Sequence, residues 1–211
     1  MVDAVEEPDG LADRLRSGDI EALGALFSRH RERLWRMAGF RMDRRLLGRI
    51  DPDDVLQEAY LAAAQRMKNY GEDSSLSPFV WLRMILMQTL IDIHRHHLGA
   101  QMRDAGREIG QLGRYPQTTS ASLAFQFAGK LTSPSQAAVR EETLLRVEQA
   151  VAAMDPLDQE VLALRHFEEL TNSEVAEVLG IQQKAASIRY VRAIKRLRAV
   201  LSQMPGFLEG P

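Results

Sequence analysis

Apolar side chains recur at helical spacing along most of the chain and nowhere sustain the strict alternation of a strand. Leu23, Leu26, Phe27, Leu34, Met37 and Ala38 predict one helix over residues 20–42, with Asp19 as its N-cap. Asp51-Pro52-Asp53-Asp54 marks a second helix start. A carboxylate caps free N–H groups, proline suits the first helical position, and further carboxylates favour the positive end of the dipole. That helix is expected over 55–67, followed by a loop over 69–78 where polar and turn-forming residues crowd. Trp81, Leu82, Met84, Ile85, Leu86, Leu90 and Ile91 predict an apolar helix over 79–97. Residues 106–134 are rich in Gly, Ser, Thr, Gln and Pro and lack periodicity, which reads as a linker. Within it Leu123, Phe125 and Phe127 form a short apolar stretch suited to docking on a neighbouring surface. Helices resume over 136–154, 157–167, 173–179 and 182–203. The expected fold is all-α, with helical domains over 1–105 and 135–204, a flexible linker over 106–134 and a tail over 205–211.

Composition narrows the function classes. The 211 residues include no cysteine, so disulfide scaffolds, Cys-ligated zinc and cysteine nucleophiles are excluded. No apolar run has the roughly 20 residues a membrane span requires, and the polar, acidic start does not read as a signal peptide. The expectation is a cytoplasmic protein with no membrane association. No nucleotide-binding, zinc-protease or nucleophile-elbow motif is present, so no enzymatic activity and no cofactor are expected. His94 and His97 lie three apart on a helix, but no ligand set is completed around them, and no metal site is expected.

The net charge of −2 hides blocks of opposite sign. Residues 26–50 carry 8 basic and 2 acidic side chains, residues 51–78 carry 2 and 6, residues 135–177 carry 3 and 10, and residues 178–211 carry 6 and 1. Such blocks suggest surfaces for different partners, or simply solvated helix faces.

The last basic block coincides with a motif. Thr171-Asn172-Ser173-Glu174 is a capping box, Gly180 suits a left-handed turn, and Ile181 opens a second apolar series through Ala186, Tyr190, Ala193 and Leu197. This is the pattern of a helix-turn-helix. With the apolar face inward, Lys184 and Ser187 are placed for base edges, and Arg189, Arg192, Lys195 and Arg196 for the DNA backbone. Ile188 and Val191 fall on the outer face. They are suited either to thymine methyls or to packing on the preceding helices, and packing is the expectation.

Residues 157–181, with the following helix, resemble region 4 of bacterial sigma factors. Asp51-Pro-Asp-Asp-Val-Leu-Gln-Glu-Ala-Tyr-Leu61 resembles the core-binding part of sigma region 2, and Phe79-Val-Trp-Leu-Arg through Ile93-His94-Arg95 resembles the part that reads promoter DNA. With regions 2 and 4 alone, the chain is similar to the small extracytoplasmic-function (ECF, group 4) sigma factors.

That resemblance implies a promoter-specificity subunit of RNA polymerase. Asp54, Gln57 and Glu58 would dock on the clamp coiled coil of the polymerase β′ subunit, and region 4 on the flap of β. Asn69, Tyr70, Ser74 and Ser75, with Arg83, Gln88, His94 and Arg95 on the next helix, would read the minus-ten element. Lys184, Ser187, Arg189, Arg192, Lys195 and Arg196 would bind the minus-thirty-five duplex. The family also implies an anti-sigma protein as a partner. The family usually carries Asn at the position of Gln88 and a basic residue at that of Met87, and Ala185-Ala186 replaces a common Thr-Val pair. A stand-alone helix-turn-helix regulator with a helical effector or dimerisation domain is the alternative, and a protein that merely sequesters polymerase is a third.

Overall fold

The structure is a computed structural model describing residues 10–46, 48–73, 76–98, 123 and 137–202. The described residues form helices with no strand. Four make the N-terminal half: α1 (Leu11–Arg16), α2 (Ile20–Arg41), α3 (Pro52–Asp73) and α4 (Pro78–Leu98). The C-terminal half holds α5 (Ala137–Ala152), α6 (Pro156–Leu162), a π-helical turn (Ala163–Phe167), α7 (Asn172–Leu179) and α8 (Gln183–Leu201).

The helix starts follow local chemistry. The Asp19 carboxylate accepts from the N–H groups of Glu21 at 2.9 Å and Ala22 at 3.2 Å. Asp51 and Asp54 cap reciprocally, each side chain accepting from the other's backbone N–H. Asp155 caps α6 ahead of Pro156. The Thr171–Glu174 capping box opens α7, and Gly180 closes it at φ 63°, a left-handed conformation that favours glycine.

Two elements depart from expectation. The short helix α1 was not foreseen; it buries Leu11 and Leu15. Helix α3 runs on to Asp73, taking in the first five residues of the segment 69–78 expected to be a loop. Tyr70 explains the extension. Its side chain is buried against Trp81, with ring centroids 4.9 Å apart, and its hydroxyl donates to the Leu76 carbonyl. Burial of this large ring opposes the helix penalties of Asn69, Asp73 and above all Gly71, about 1 kcal/mol for the glycine alone.

The halves pack directly on each other. The main core combines Leu23, Leu26, Leu34, Leu82 and Leu86 from the N-terminal helices with Val161, Leu164, Leu170 and Val175 from the C-terminal ones. A second core gathers Val147, Val151, Leu162, Phe167, Ala193 and Leu197, and Phe40 of α2 reaches into it to stack on Phe167 at 4.7 Å. Leu123 is buried there too. The rest of the expected linker, 106–134, lies outside the described residues.

Charge joins the same seam. Glu168 is fully buried, and its carboxylate accepts from Arg41 Nε at 2.6 Å and from Arg83 Nε and Nη2 at 2.6 and 3.1 Å. Arg41 also forks onto Glu160. Arg33 donates to the Glu169 carbonyl and to the Glu174 carboxylate, and Arg36 pairs with Glu169 at 2.8 Å. Glu169 is the one described non-glycine residue at positive φ, 56°, a conformation these contacts hold in place. Arg33, Arg36 and Arg41 of the basic block 26–50 thus find partners in Glu160, Glu168, Glu169 and Glu174 of the acidic block 135–177, where surfaces for different partners or solvated faces were expected.

His30 lies under this seam. It is buried beside Phe79, and neither ring nitrogen has a hydrogen-bond partner. Burial, reinforced by the nearby Arg33 charge, pushes its pKa down to about 4. The unfolded chain takes up this proton near pH 6.5 and the folded one resists until about 4. Stability is therefore lost as pH falls through that window, by about 3 kcal/mol in all. His30→Leu is expected to flatten this part of the pH–stability curve, measured by urea denaturation across the window.

Candidate nucleic-acid interface

The helix-turn-helix is formed by α7 and α8. The Ile181 N–H reaches back to the Ala176 carbonyl at 3.0 Å across Gly180 and sets the turn. Ala186, Ala193 and Leu197 of α8 are buried and Tyr190 is half-buried, so this face is the inner one. Lys184, Lys195 and Arg196 are exposed, and Ser187 is half-buried. Arg189 and Arg192 converge on Asp158 at the start of α6: Arg189 donates at 2.6 Å, and Arg192 forks onto both carboxylate oxygens at 2.9 and 3.0 Å. Asp158 itself is buried. Both arginines are therefore held in place beside the outer face. Ile188 and Val191, expected to pack on neighbouring helices, are instead 55% and 47% exposed.

The residues assigned to the minus-ten element are scattered. Gln88 is half-buried on α4 and donates to Asp92; Arg95 is exposed. Asn69 falls on the last turn of α3, and Ser74 and Ser75 lie outside the described residues. Three others are enclosed, against expectation. Arg83 is 1% exposed and committed to Glu168, Tyr70 is core, and His94 is buried, its Nε2 accepting from the Asp43 N–H at 3.2 Å. Burial holds the His94 pKa below its ordinary value despite the nearby Asp43. In this arrangement none of the three faces solvent. Sequence reasoning missed this because Arg and His read as surface residues, and their buried partners lie far along the chain.

Asp54, Gln57 and Glu58 are exposed on α3 as expected. Beside them is a groove of about 400 Å³ between α2 and α3, lined by Phe27, Arg31, Asp53, Leu56, Gln57, Tyr60 and Leu61. Phe27 and Tyr60 meet edge to face at 5.2 Å, Leu61 is 55% exposed, and the exposed Trp35 donates to Asp53 at 3.2 Å. These apolar flanks were not singled out in the sequence. Phe27 shares the spacing of the α2 core, whereas Trp35 and Leu61 fall off the core-facing stripes of α2 and α3, a signal that helical spacing carries.

An all-helical fold carrying a capped helix-turn-helix with a basic second helix is the architecture of a DNA-binding protein. The comparisons give the family. The model of sigma-70 region 4 matches residues 150–199. The chain is 29% identical over 194 residues to the RNA polymerase sigma factor CnrH of Cupriavidus metallidurans, covering 90% of this chain and 92% of that protein. It is 26% identical over 195 residues to the RNA polymerase sigma factor NccH of Alcaligenes xylosoxydans xylosoxydans, covering 92% and 94%. It is 23% identical over 194 residues to the ECF RNA polymerase sigma factor BldN of Streptomyces coelicolor, covering 90% and 64%. A solved structure of CnrH in complex with the cytosolic domain of CnrY is similar over 92% of this chain and 96% of that one, at 24% identity and a TM-score of 0.49. These comparisons support an RNA polymerase sigma factor of the ECF type, a subunit that directs transcription initiation at promoters. Among the described residues no helix is long and apolar enough to cross a membrane.

Proposed function

We propose that this sigma factor divides its work between its halves: residues 1–105 as region 2, which docks on polymerase and reads the minus-ten element, and residues 135–204 as region 4, which binds the minus-thirty-five duplex. The observation that carries the reading is the juxtaposition on α3 of exposed Asp54, Gln57 and Glu58 with the apolar groove, on the opposite half of the molecule from α8. An acidic rim around apolar side chains suits a basic, amphipathic helical partner such as the β′ clamp coiled coil. On α8, Lys184, Ser187, Lys195 and Arg196, with Arg189 and Arg192 steadied by Asp158, suit a duplex; the flap of β is the region 4 contact on polymerase. Gln88 and Arg95, with Asn69, Ser74 and Ser75, remain the minus-ten residues of this reading. Arg83, Tyr70 and His94 would join them only after the seam opens. The chain acts without catalytic groups of its own. An anti-sigma protein is proposed as a further partner; CnrH, the 29% identical relative, has been solved in complex with the cytosolic domain of CnrY.

The test is run-off transcription with core polymerase on genomic fragments whose starts appear on overexpression. Promoter-dependent transcripts are expected only when the chain is added. Leu61→Asp is expected to weaken assembly with core polymerase at least about tenfold, since it buries a charge in an apolar contact, and to change folding stability by less than about 0.5 kcal/mol. Normal assembly by that variant sinks the docking assignment.

A further inference from the structure

We infer that Ile188 and Val191 are specificity-determining residues that read the 5-methyl groups of thymines in the major groove. The inference rests on the reading of α8 as the minus-thirty-five helix. Lys184, Ile188, Val191 and Lys195 are all exposed and fall at i, i+4, i+7 and i+11, one line along α8 directly opposite the buried line of Ala186, Tyr190, Ala193 and Leu197. A β-branched residue gains nothing for a helix on its solvent face, where it has lower propensity than Ala, Lys or Glu. Here two of them occupy the centre of that face, half-exposed and with a lysine at each end.

The surroundings fix the kind of occupant. From Val178 to Leu208 the chain carries six basic residues and no acidic one, and Arg192, Lys195 and Arg196 flank the apolar pair on the exposed side. A strongly cationic surface with a small apolar centre complements a polyanion that carries an apolar group inside its groove. In duplex DNA that group is the thymine methyl, the apolar feature of the base edges in the major groove. Residues three apart on a helix are separated by about 4.5 Å along its axis, so Ile188 and Val191 form one compact apolar spot, small enough to meet methyls of one or two adjacent base pairs.

The experiment uses the holoenzyme and a promoter duplex located by transcript-start mapping. Each thymine of its minus-thirty-five element is replaced singly by deoxyuridine, which removes the methyl and keeps the base pair. The wild-type protein is expected to lose about fourfold in affinity at one or two positions, the worth of one buried methyl-sized group. Ile188→Ala or Val191→Ala is expected to bind the thymine and deoxyuridine versions of its own position equally. Both side chains are exposed, so the variants keep the fold. Equal binding of every deoxyuridine duplex by the wild type, with Lys195→Ala still weakening binding, overturns the methyl reading and leaves α8 as the duplex-binding helix. If Lys195→Ala has no effect either, the assignment of α8 itself fails. An upstream element without a T·A pair, or an Ile188→Ala defect confined to assembly with core polymerase, overturns the proposal in favour of a protein contact.

Discussion

Glu168→Ala is expected to destabilise the protein by about 3–5 kcal/mol, seen as a lower urea midpoint. The wild-type carboxylate is fully enclosed and shared between Arg41 and Arg83, themselves almost without exposure. Burial pushes the Glu168 pKa up, but the two guanidiniums more than reverse this and bring it down to about 2, so the group is ionised throughout the physiological range. Removing it takes from the buried Arg83 guanidinium the carboxylate it forks onto, while Arg41 keeps Glu160. The desolvation already spent on burying these charges, no longer offset by the Glu168 carboxylate, makes up most of the loss. A second variant separates the two. Arg83→Met combined with Glu168→Leu removes both charges at similar volume, and is expected to recover at least half of the lost stability. A cost below about 1 kcal/mol for Glu168→Ala shows that the fork does not hold the halves together.

Trp81→Ala carries the other large effect, also about 3–5 kcal/mol. Trp81 is 4% exposed and lies against Tyr70, so truncation empties the junction of α3 and α4 and removes the reason α3 extends past residue 67. Trp35→Ala is the control, because its ring is 41% exposed beside the groove between α2 and α3, and a change within about 1 kcal/mol is expected. Far-UV circular dichroism followed through urea measures both. Equal losses in the two variants contradict the burial described here.

Much of the fold was legible because helix caps are local. Asp19, Asp51, Thr171 and Gly180 announce their elements within three or four residues, and each does what its type suggests. The seam was not legible. Glu168 reads as a surface residue after an ordinary helix, yet the π-helical turn over Ala163–Phe167 inserts an extra residue, rotates the register and aims it inward. Its partners Arg41 and Arg83 lie 127 and 85 residues away, beyond any local pattern. The candidate sites divide in the same way. Exposure on α8 and on the outer face of α3 follows from helical periodicity alone. Polar character does not report solvent contact at Arg83, His94 and Tyr70, which are buried, and apolar character does not report burial at Ile188 and Val191, which are exposed.

The fork of Arg189 and Arg192 on Asp158 bears on how strongly binding would respond to salt. A duplex gains affinity by shedding the counterions condensed on each phosphate that a protein cation neutralises. Six cations line α8 and its tail, but Asp158 at 2.6 Å and Asp155 at 3.6 Å offset two of those charges inside the protein. About four phosphates then remain for region 4 to neutralise, a slope of log affinity against log salt near −3.6 instead of about −5.4. Under the proposed duplex-binding role of α8, so shallow a dependence would make this half a weak electrolyte trap on its own and leave residence at a promoter to base contacts and to polymerase.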